Sequence, residues 1–78
     1  MDTVFIKPTS QQRLQVLKDY GEPCDRLVRE KERQYITSVS RSTAWKLERS
    51  GLFPQRKMLG AKSCGWLLSE LLYWINEK

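Results

Sequence analysis

One helical segment with marked ends, between residues 40 and 54, constrains the fold more than any other feature of this sequence. Ser40 is a favoured N-cap residue, and residues 41–49 contain neither glycine nor proline. Gly51 follows at the position where a left-handed C-cap costs little only for glycine, and Pro54 cannot continue a helix. These signals predict a helix that begins at Ser40 and ends before Gly51.

A second helical segment lies immediately before this one. Residues 29–36 are nearly all good helix formers, and residues 37–39 separate them from Ser40. Two short helices joined by about three residues form a helix-turn-helix. The side chains predicted to face inward are Val28, Tyr35 and Ile36 on the first helix, Ala44 and Leu47 on the second, and Val39 under the turn.

A β-hairpin and a closing helix are predicted after the helix-turn-helix. Two strand-like stretches, 56–59 and 63–67, flank a turn at 60–62. Ser69 is a candidate N-cap for a last helix over residues 70–77, where apolar residues recur at helical spacing. The hairpin therefore lies where it can act as a wing beside the helix-turn-helix.

The N-terminal part of the chain adds one more predicted helix. Residues 10–20 show a loose helical spacing, with Thr9 or Ser10 as the N-cap. We interpret residues 1–24 as an N-terminal extension and residues 25–78 as the helix-turn-helix domain. The predicted fold class is mainly α with a small β-hairpin, a winged helix-turn-helix with an extra N-terminal helix.

The net charge of +5 is not spread evenly along the chain. Residues 26–62 contain ten basic and three acidic side chains, a net charge of +7, whereas residues 1–25 and 63–78 each carry −1. Such a patch attracts the phosphates of nucleic acid or of lipid. A solvated, solubilising surface is the alternative, and charge alone does not decide between them.

Several separated motifs resemble those of a known protein family. They are Arg41-Ser42-Thr43-x-Trp45-Lys46-Leu47, Gly51-Leu52-Phe53-Pro54, Leu59-Gly60, Gly65-Trp66, Ser69-Glu70 and Trp74-Ile75. Over residues 26–78 the chain resembles the AlpA-type prophage regulators, which are excisionase-like members of the MerR-like winged helix-turn-helix group. The resemblance implies a recognition helix over residues 40–50, a wing over residues 56–66, and a role in transcriptional control of prophage genes or in excision.

Three residues depart from the usual pattern of that family. Arg33 occupies a position that is usually aliphatic, Ser38 lies in a turn where glycine is common, and Leu72 stands where a polar residue is more usual. Leu72 and Tyr73 are therefore predicted on an exposed face of the last helix. This face, and an N-terminal extension larger than the core fold needs, favour a second hypothesis. It is an excision factor or adaptor that docks through its N-terminal or last helix on a site-specific recombinase or a host regulator.

The predicted DNA contacts lie on the helix that begins at Ser40 and on the hairpin. Hydroxyl and N–H groups at a helix N-terminus bind phosphate, and Lys46 and Arg49 further along are the predicted base readers. Trp45 either packs in the core beside Phe53 or lies against the sugar-phosphate backbone, and the sequence leaves both open. The candidate DNA-binding residues are Ser40, Arg41, Ser42, Thr43, Trp45, Lys46 and Arg49 on the helix, and Arg56, Lys57 and Lys62 on the hairpin.

Catalysis and metal binding have little support in the sequence. The chain has no histidine, and its carboxylates are scattered among basic neighbours. It has no phosphate-binding loop, dinucleotide fingerprint or metal-ligand cluster, so we predict a protein that is not an enzyme and uses no cofactor or metal. Cys24 and Cys64 are predicted to be reduced, and a disulfide between them is the less favoured alternative. Cys64, Trp66 and Trp74 are predicted to face the interior.

The predicted partner is double-stranded DNA. Because the long dimerisation helix of MerR-like regulators is missing after Trp66, we expect a monomer in solution that assembles cooperatively on DNA. No apolar run approaches the roughly 20 residues that span a bilayer, and the N-terminus lacks a signal pattern, so we expect a cytoplasmic protein. Attachment of the basic patch to a membrane surface is disfavoured, because the patch lacks a strongly apolar opposite face.

Overall fold

Four helices and three short strands follow one another in the computed structural model, which describes residues 4–78. In chain order they are α1 (Ser10–Asp19), β1 (Leu27–Val28), α2 (Glu30–Thr37), α3 (Arg41–Arg49), β2 (Lys57–Met58), β3 (Cys64–Leu67) and α4 (Leu68–Asn76). A three-residue turn joins α2 to α3, and β2 and β3 form the hairpin. The predicted fold class, a mainly α winged helix-turn-helix, is confirmed.

The hairpin is part of a three-stranded antiparallel sheet in which β3 lies between β1 and β2. Val28 pairs with Trp66, and Lys57 pairs with Gly65. A Cβ atom at Gly65 would lie 3.1 Å from the carbonyl oxygen of Val28, so the close approach of the two strands favours glycine there. The sequence does not predict β1, because two residues are too few to show a strand pattern.

The first half of α4 is the most buried part of the described chain, and it packs against both α1 and α2. Phe53, Trp66 and Leu71 are fully buried in the same core. Leu72 is buried as well, so the prediction that it lies on an exposed face is wrong. Tyr35, which was expected to face inward, is 86% exposed, because the inner side of α2 is occupied by other residues.

The start of α4 is capped by a residue that is distant in the sequence. The predicted N-cap, Ser69, lies inside the helix, which begins at Leu68. The carboxylate of Asp25 accepts hydrogen bonds from the backbone N–H of Ser69 at 2.9 Å and from its hydroxyl at 2.7 Å. A carboxylate at a helix N-terminus also interacts favourably with the helix dipole. Local pattern reading failed here because the cap comes from 44 positions away.

Helix α1 packs into the same core as the elements that follow it. It begins after Thr9, whose side chain forms a capping box with the first turn. Val16 and Leu17 are buried, and Arg13 pairs with the buried carboxylate of Glu70 at 3.0 Å. The predicted N-terminal helix is thus present and is fixed to α4 by both apolar and ionic contacts.

The turn between α2 and α3 contains a residue in a strained conformation. Ser38 has a φ of 59°, in the left-handed region that costs residues with a Cβ about 1–2 kcal/mol. The Ser38→Gly variant is therefore expected to raise the free energy of unfolding by about 0.5–1 kcal/mol, because glycine removes the strain but gains freedom in the unfolded chain. Urea denaturation followed by circular dichroism measures the change.

Ser50→Gly is the matched control for this prediction. Ser50 is also exposed and ends a helix, but its φ is −90°, so glycine relieves nothing there and should lower the stability. A gain of the same size at both positions would contradict the explanation by backbone strain.

Candidate nucleic-acid interface

Helix α3 turns most of its polar side chains to solvent, because its other side is anchored in the core. Ala44 is fully buried and Leu47 is half-buried, at the positions where the helical spacing predicts them. The hydroxyl of the N-cap Ser40 accepts a hydrogen bond from the Thr43 N–H at 3.3 Å and donates one to the Thr43 hydroxyl at 2.9 Å. All seven contact residues predicted on the helix are exposed, namely Ser40, Arg41, Ser42, Thr43, Trp45, Lys46 and Arg49.

Trp45 lies on the surface of α3, so the interpretation that it packs in the core beside Phe53 is wrong. It is 51% exposed. The guanidinium groups of Arg49 and Arg56 lie 5.7 and 5.6 Å from the centre of its ring, within the range of cation–π interactions. Phe53 instead packs edge-on against Trp74, whose indole N–H donates to the carbonyl of Leu52. Two arginines therefore flank an indole on the exposed face.

Glu48 connects α3 to the wing and is absent from the predicted site. It is 7% exposed and accepts two hydrogen bonds from the Arg56 guanidinium, each 2.9 Å long, and one from the Trp66 indole N–H at 3.3 Å. The hydrogen bonds with Glu48 raise the pKa of Arg56. The missed signal is its spacing: Glu48 follows Ala44 by four residues, on the buried stripe of α3, where a carboxylate requires a cationic partner.

Each of the three glutamates within residues 26–62 forms an ion pair with an arginine of the same segment. The pairs are Arg26–Glu32, Arg33–Glu30 and Arg56–Glu48. Seven cations of this segment are exposed and have no carboxylate partner among residues 4–78, namely Arg29, Lys31, Arg41, Lys46, Arg49, Lys57 and Lys62. We call these seven the exposed cations. They carry the whole +7 net charge of the segment on side chains that are available to phosphates.

A surface cleft of about 300 Å³ brings part of this set together, between the starts of α2 and α3 and the hairpin. Four of the exposed cations line it, Arg29, Lys31, Arg41 and Lys62, together with the paired Arg56, with Cys64 and with Glu30, which is paired with Arg33. One predicted helix contact, Arg41, and two predicted wing contacts, Arg56 and Lys62, therefore meet at this cleft. The other three exposed cations, Lys46, Arg49 and Lys57, do not line it. Arg29 and Lys31 belong to the basic segment but were not among the predicted contact residues, because the sequence places them on the helix before the recognition helix.

Thiols and metal ligands contribute little to the described surface. Cys24 and Cys64 are both free, as predicted, and Cys64 is half-buried. Within residues 4–78 no group of three or more histidine, cysteine, aspartate or glutamate side chains is placed to hold a metal ion.

None of the helices within residues 4–78 has the length and apolar character needed to cross a membrane.

Comparisons with known proteins concern the part of the chain that contains this surface. The family model described as "Prophage CP4-57 regulatory protein (AlpA)" matches residues 26–78. The chain is also similar to the uncharacterized protein ORF88 of Enterobacteria phage P4, with 39% identity over 51 residues, which cover 65% of this chain and 58% of the phage protein. The similarity thus spans little more than half the length of that relative. No solved structure matches the chain significantly.

Proposed function

Because this chain belongs to the AlpA family of prophage regulatory proteins, we propose that it binds double-stranded DNA at specific sequences and so regulates genes of a prophage or related mobile element. In this proposal α3 lies in the major groove and the β2–β3 hairpin acts as a wing. The observation that carries the proposal is the set of seven exposed cations, because cations without carboxylate partners attract a polyanion. No catalytic step is part of this function.

Lys46 and Arg49 are the base readers in this proposal. With Ser42 they lie at positions i, i+4 and i+7, so the three share one face of α3 over about two turns. Arginine and lysine donate to O6 and N7 of guanine in the major groove, and this is the commonest specific contact in such complexes. Trp45 presents its indole N–H, which is a donor only, to a phosphate at the edge of the groove.

Phosphate contacts hold α3 in its register on the duplex. Arg41, Ser42 and Thr43 are exposed at the N-terminus of α3, where the helix dipole favours an anion, and the Ser42 hydroxyl can donate to a phosphate. The cleft between Arg41 and Lys62 lies beside this terminus and suits a segment of sugar-phosphate backbone between helix and wing.

Arg56 has a different role from the lysines of the wing. The Arg56 guanidinium forms an ion pair and two hydrogen bonds with Glu48, so Arg56 holds the base of the hairpin against α3. Lys57 and Lys62, which are exposed and have no carboxylate partner among the described residues, make the wing contacts with phosphate.

Lys46→Ala and Arg49→Ala test the assignment of the base readers. Each variant is expected to lose about 1–3 kcal/mol of binding free energy on the preferred sequence and to relax the preference at one base position. The preferred sequence is obtained by selection from random duplexes. Mobility shifts on that duplex, and on duplexes with single base-pair changes, then give the affinities.

Lys18→Ala is the matched control, because it removes an exposed cation of α1 that lies outside the basic segment. It is expected to leave affinity and preference unchanged. Uniform weakening of Lys46→Ala or Arg49→Ala on all duplexes would assign that residue to a phosphate instead of a base. If the wild type selects no preferred sequence, the proposed function is wrong.

An excision role is the second candidate, and it requires a surface for a protein partner as well as DNA. Tyr35 is 86% exposed, and it lines a groove of about 560 Å³ with Tyr20 and Ile36. Exposed aromatic side chains beside such a groove are typical of protein-binding surfaces, and a site-specific recombinase is the partner this role requires. A genome-wide footprint of the tagged protein distinguishes the two candidates, because a regulator occupies promoters and an excision factor occupies the ends of the element.

A further inference from the structure

A buried arginine holds the turn that leads into α3. Arg33 is fully buried, and its guanidinium donates to the carboxylate of Glu30, to the carbonyl oxygen of Val39 and, at 3.4 Å, to the hydroxyl of Thr37. Val39 is the last residue before the N-cap Ser40. One side chain of α2 is therefore bonded directly to the backbone at the entry of α3.

The same guanidinium also faces the wing. Its central carbon lies 5.2 Å from the ring centre of Trp66, which belongs to β3, and 6.0 Å from that of Phe53, which follows α3. Trp66 in turn donates to Glu48 of α3 at 3.3 Å. Arg33 thus bonds the turn before α3 and lies beside an aromatic ring of β3 and one that follows α3.

Stability alone does not explain an arginine at this position. Its Nε–H is buried and has no acceptor among residues 4–78. Replacement of a buried ion pair by apolar side chains of similar volume is often neutral or stabilising, because the charges no longer have to be desolvated. An aliphatic side chain cannot, however, bond the Val39 carbonyl. The turn also contains the strained residue Ser38, and strained backbone persists only where surrounding contacts hold it.

We propose that Arg33 is a positioning residue, which fixes α3 against α2 and the wing and thereby sets the sequence specificity of DNA binding. The inference rests on the proposed function, since it assigns to that same surface a residue that touches no DNA. Hydrogen bonds to bases require closer geometry than contacts to phosphate do. Loss of Arg33 therefore lowers the affinity for the preferred sequence and leaves the affinity for unrelated DNA unchanged.

Arg33→Met tests the proposal, because methionine fills a similar volume beside Trp66 and Phe53 but cannot bond Val39. Its thermal midpoint is expected to change little, because methionine removes the cost of burying the charge, while the partly exposed Glu30 and the Val39 carbonyl lose a partner. Its affinity for the preferred duplex is expected to fall about tenfold, with no change on an unrelated duplex. The dependence of both affinities on salt is expected to stay the same, because a buried charge contacts no phosphate.

Arg26→Met is the matched control. Arg26 also pairs with a glutamate, Glu32, but on the exposed surface, where its side chain is 43% accessible. This variant loses the same charge as Arg33→Met, and its affinities for the preferred and the unrelated duplex are both expected to equal those of the wild type.

Thr37→Val is a second test that does not depend on the folding of Arg33→Met. It removes only the hydroxyl that accepts hydrogen bonds from the Arg33 guanidinium and from the Val39 N–H. We expect about threefold loss on the preferred duplex alone.

The outcomes separate this proposal from the function on which it rests. A folded Arg33→Met protein with full specificity overturns the positioning role and leaves the proposed function intact. Equal losses on preferred and unrelated DNA overturn it as well, because they indicate a general disturbance of the surface. A wild type that binds no DNA overturns both.

Discussion

The Glu48→Ala variant is expected to unfold with a free energy about 2–4 kcal/mol lower than that of the wild type, which for a domain of this size lowers Tm by about 10–25 °C. The substitution leaves the Arg56 guanidinium, whose side chain is only 22% exposed, without its carboxylate. It also leaves the buried indole N–H of Trp66 without its acceptor. Urea denaturation followed by circular dichroism measures the unfolding free energy, and thermal denaturation measures Tm.

Glu77→Ala is the control for this variant, because Glu77 is exposed and has no basic partner among the described residues. Its effect is expected to stay within about 0.5 kcal/mol. Glu48→Gln keeps the shape of the side chain but removes its charge. Its amide oxygen can still accept a hydrogen bond from the Trp66 indole, so we expect a loss of unfolding free energy between that of Glu48→Ala and zero. If Glu48→Ala costs no more than Glu77→Ala, the ion pair does not hold the wing to α3.

The elements that the sequence predicts well are those whose signals are local. The ends of α3 are set by Ser40 and Gly51, which lie next to the helix, and the structure places the helix between them. The start of α4 is set by Asp25, and no local pattern connects that residue with Ser69. β1 exists only because β3 pairs with it.

The candidate site shows the same division between local and tertiary information. The sequence identifies the basic segment, but which of its cations are neutralised depends on the fold. Arg56 and Lys62 are equivalent in the sequence as wing cations, yet Arg56 is bound by Glu48 and Lys62 is exposed in the cleft. The burial of Leu72 likewise depends on the packing of α1 and α2 against α4, so it removes one reason for the adaptor hypothesis. DNA contact by the individual residues stays a prediction.

DNA affinity is expected to fall steeply as salt is raised, because the exposed cations displace counterions from the duplex. If about six phosphates are contacted, the logarithm of affinity falls with the logarithm of salt concentration at a slope near −5, which is about a thousandfold loss between 50 and 200 mM salt. Fluorescence anisotropy titrations on one duplex at a series of NaCl concentrations give the slope. A flat response would contradict binding through the exposed cations.

The double variant Lys57→Ala, Lys62→Ala is expected to reduce the slope by about 2 units, since each lysine accounts for about one released counterion. The double variant Lys18→Ala, Lys78→Ala removes the same charge from outside the basic segment, so its slope should equal that of the wild type. Arg56→Ala should also change the slope less than either wing lysine does, because Glu48 already neutralises Arg56. Equal reductions in the two double variants, with about half that reduction in Arg56→Ala, would mean that net charge, and not the placement of the exposed cations, governs binding.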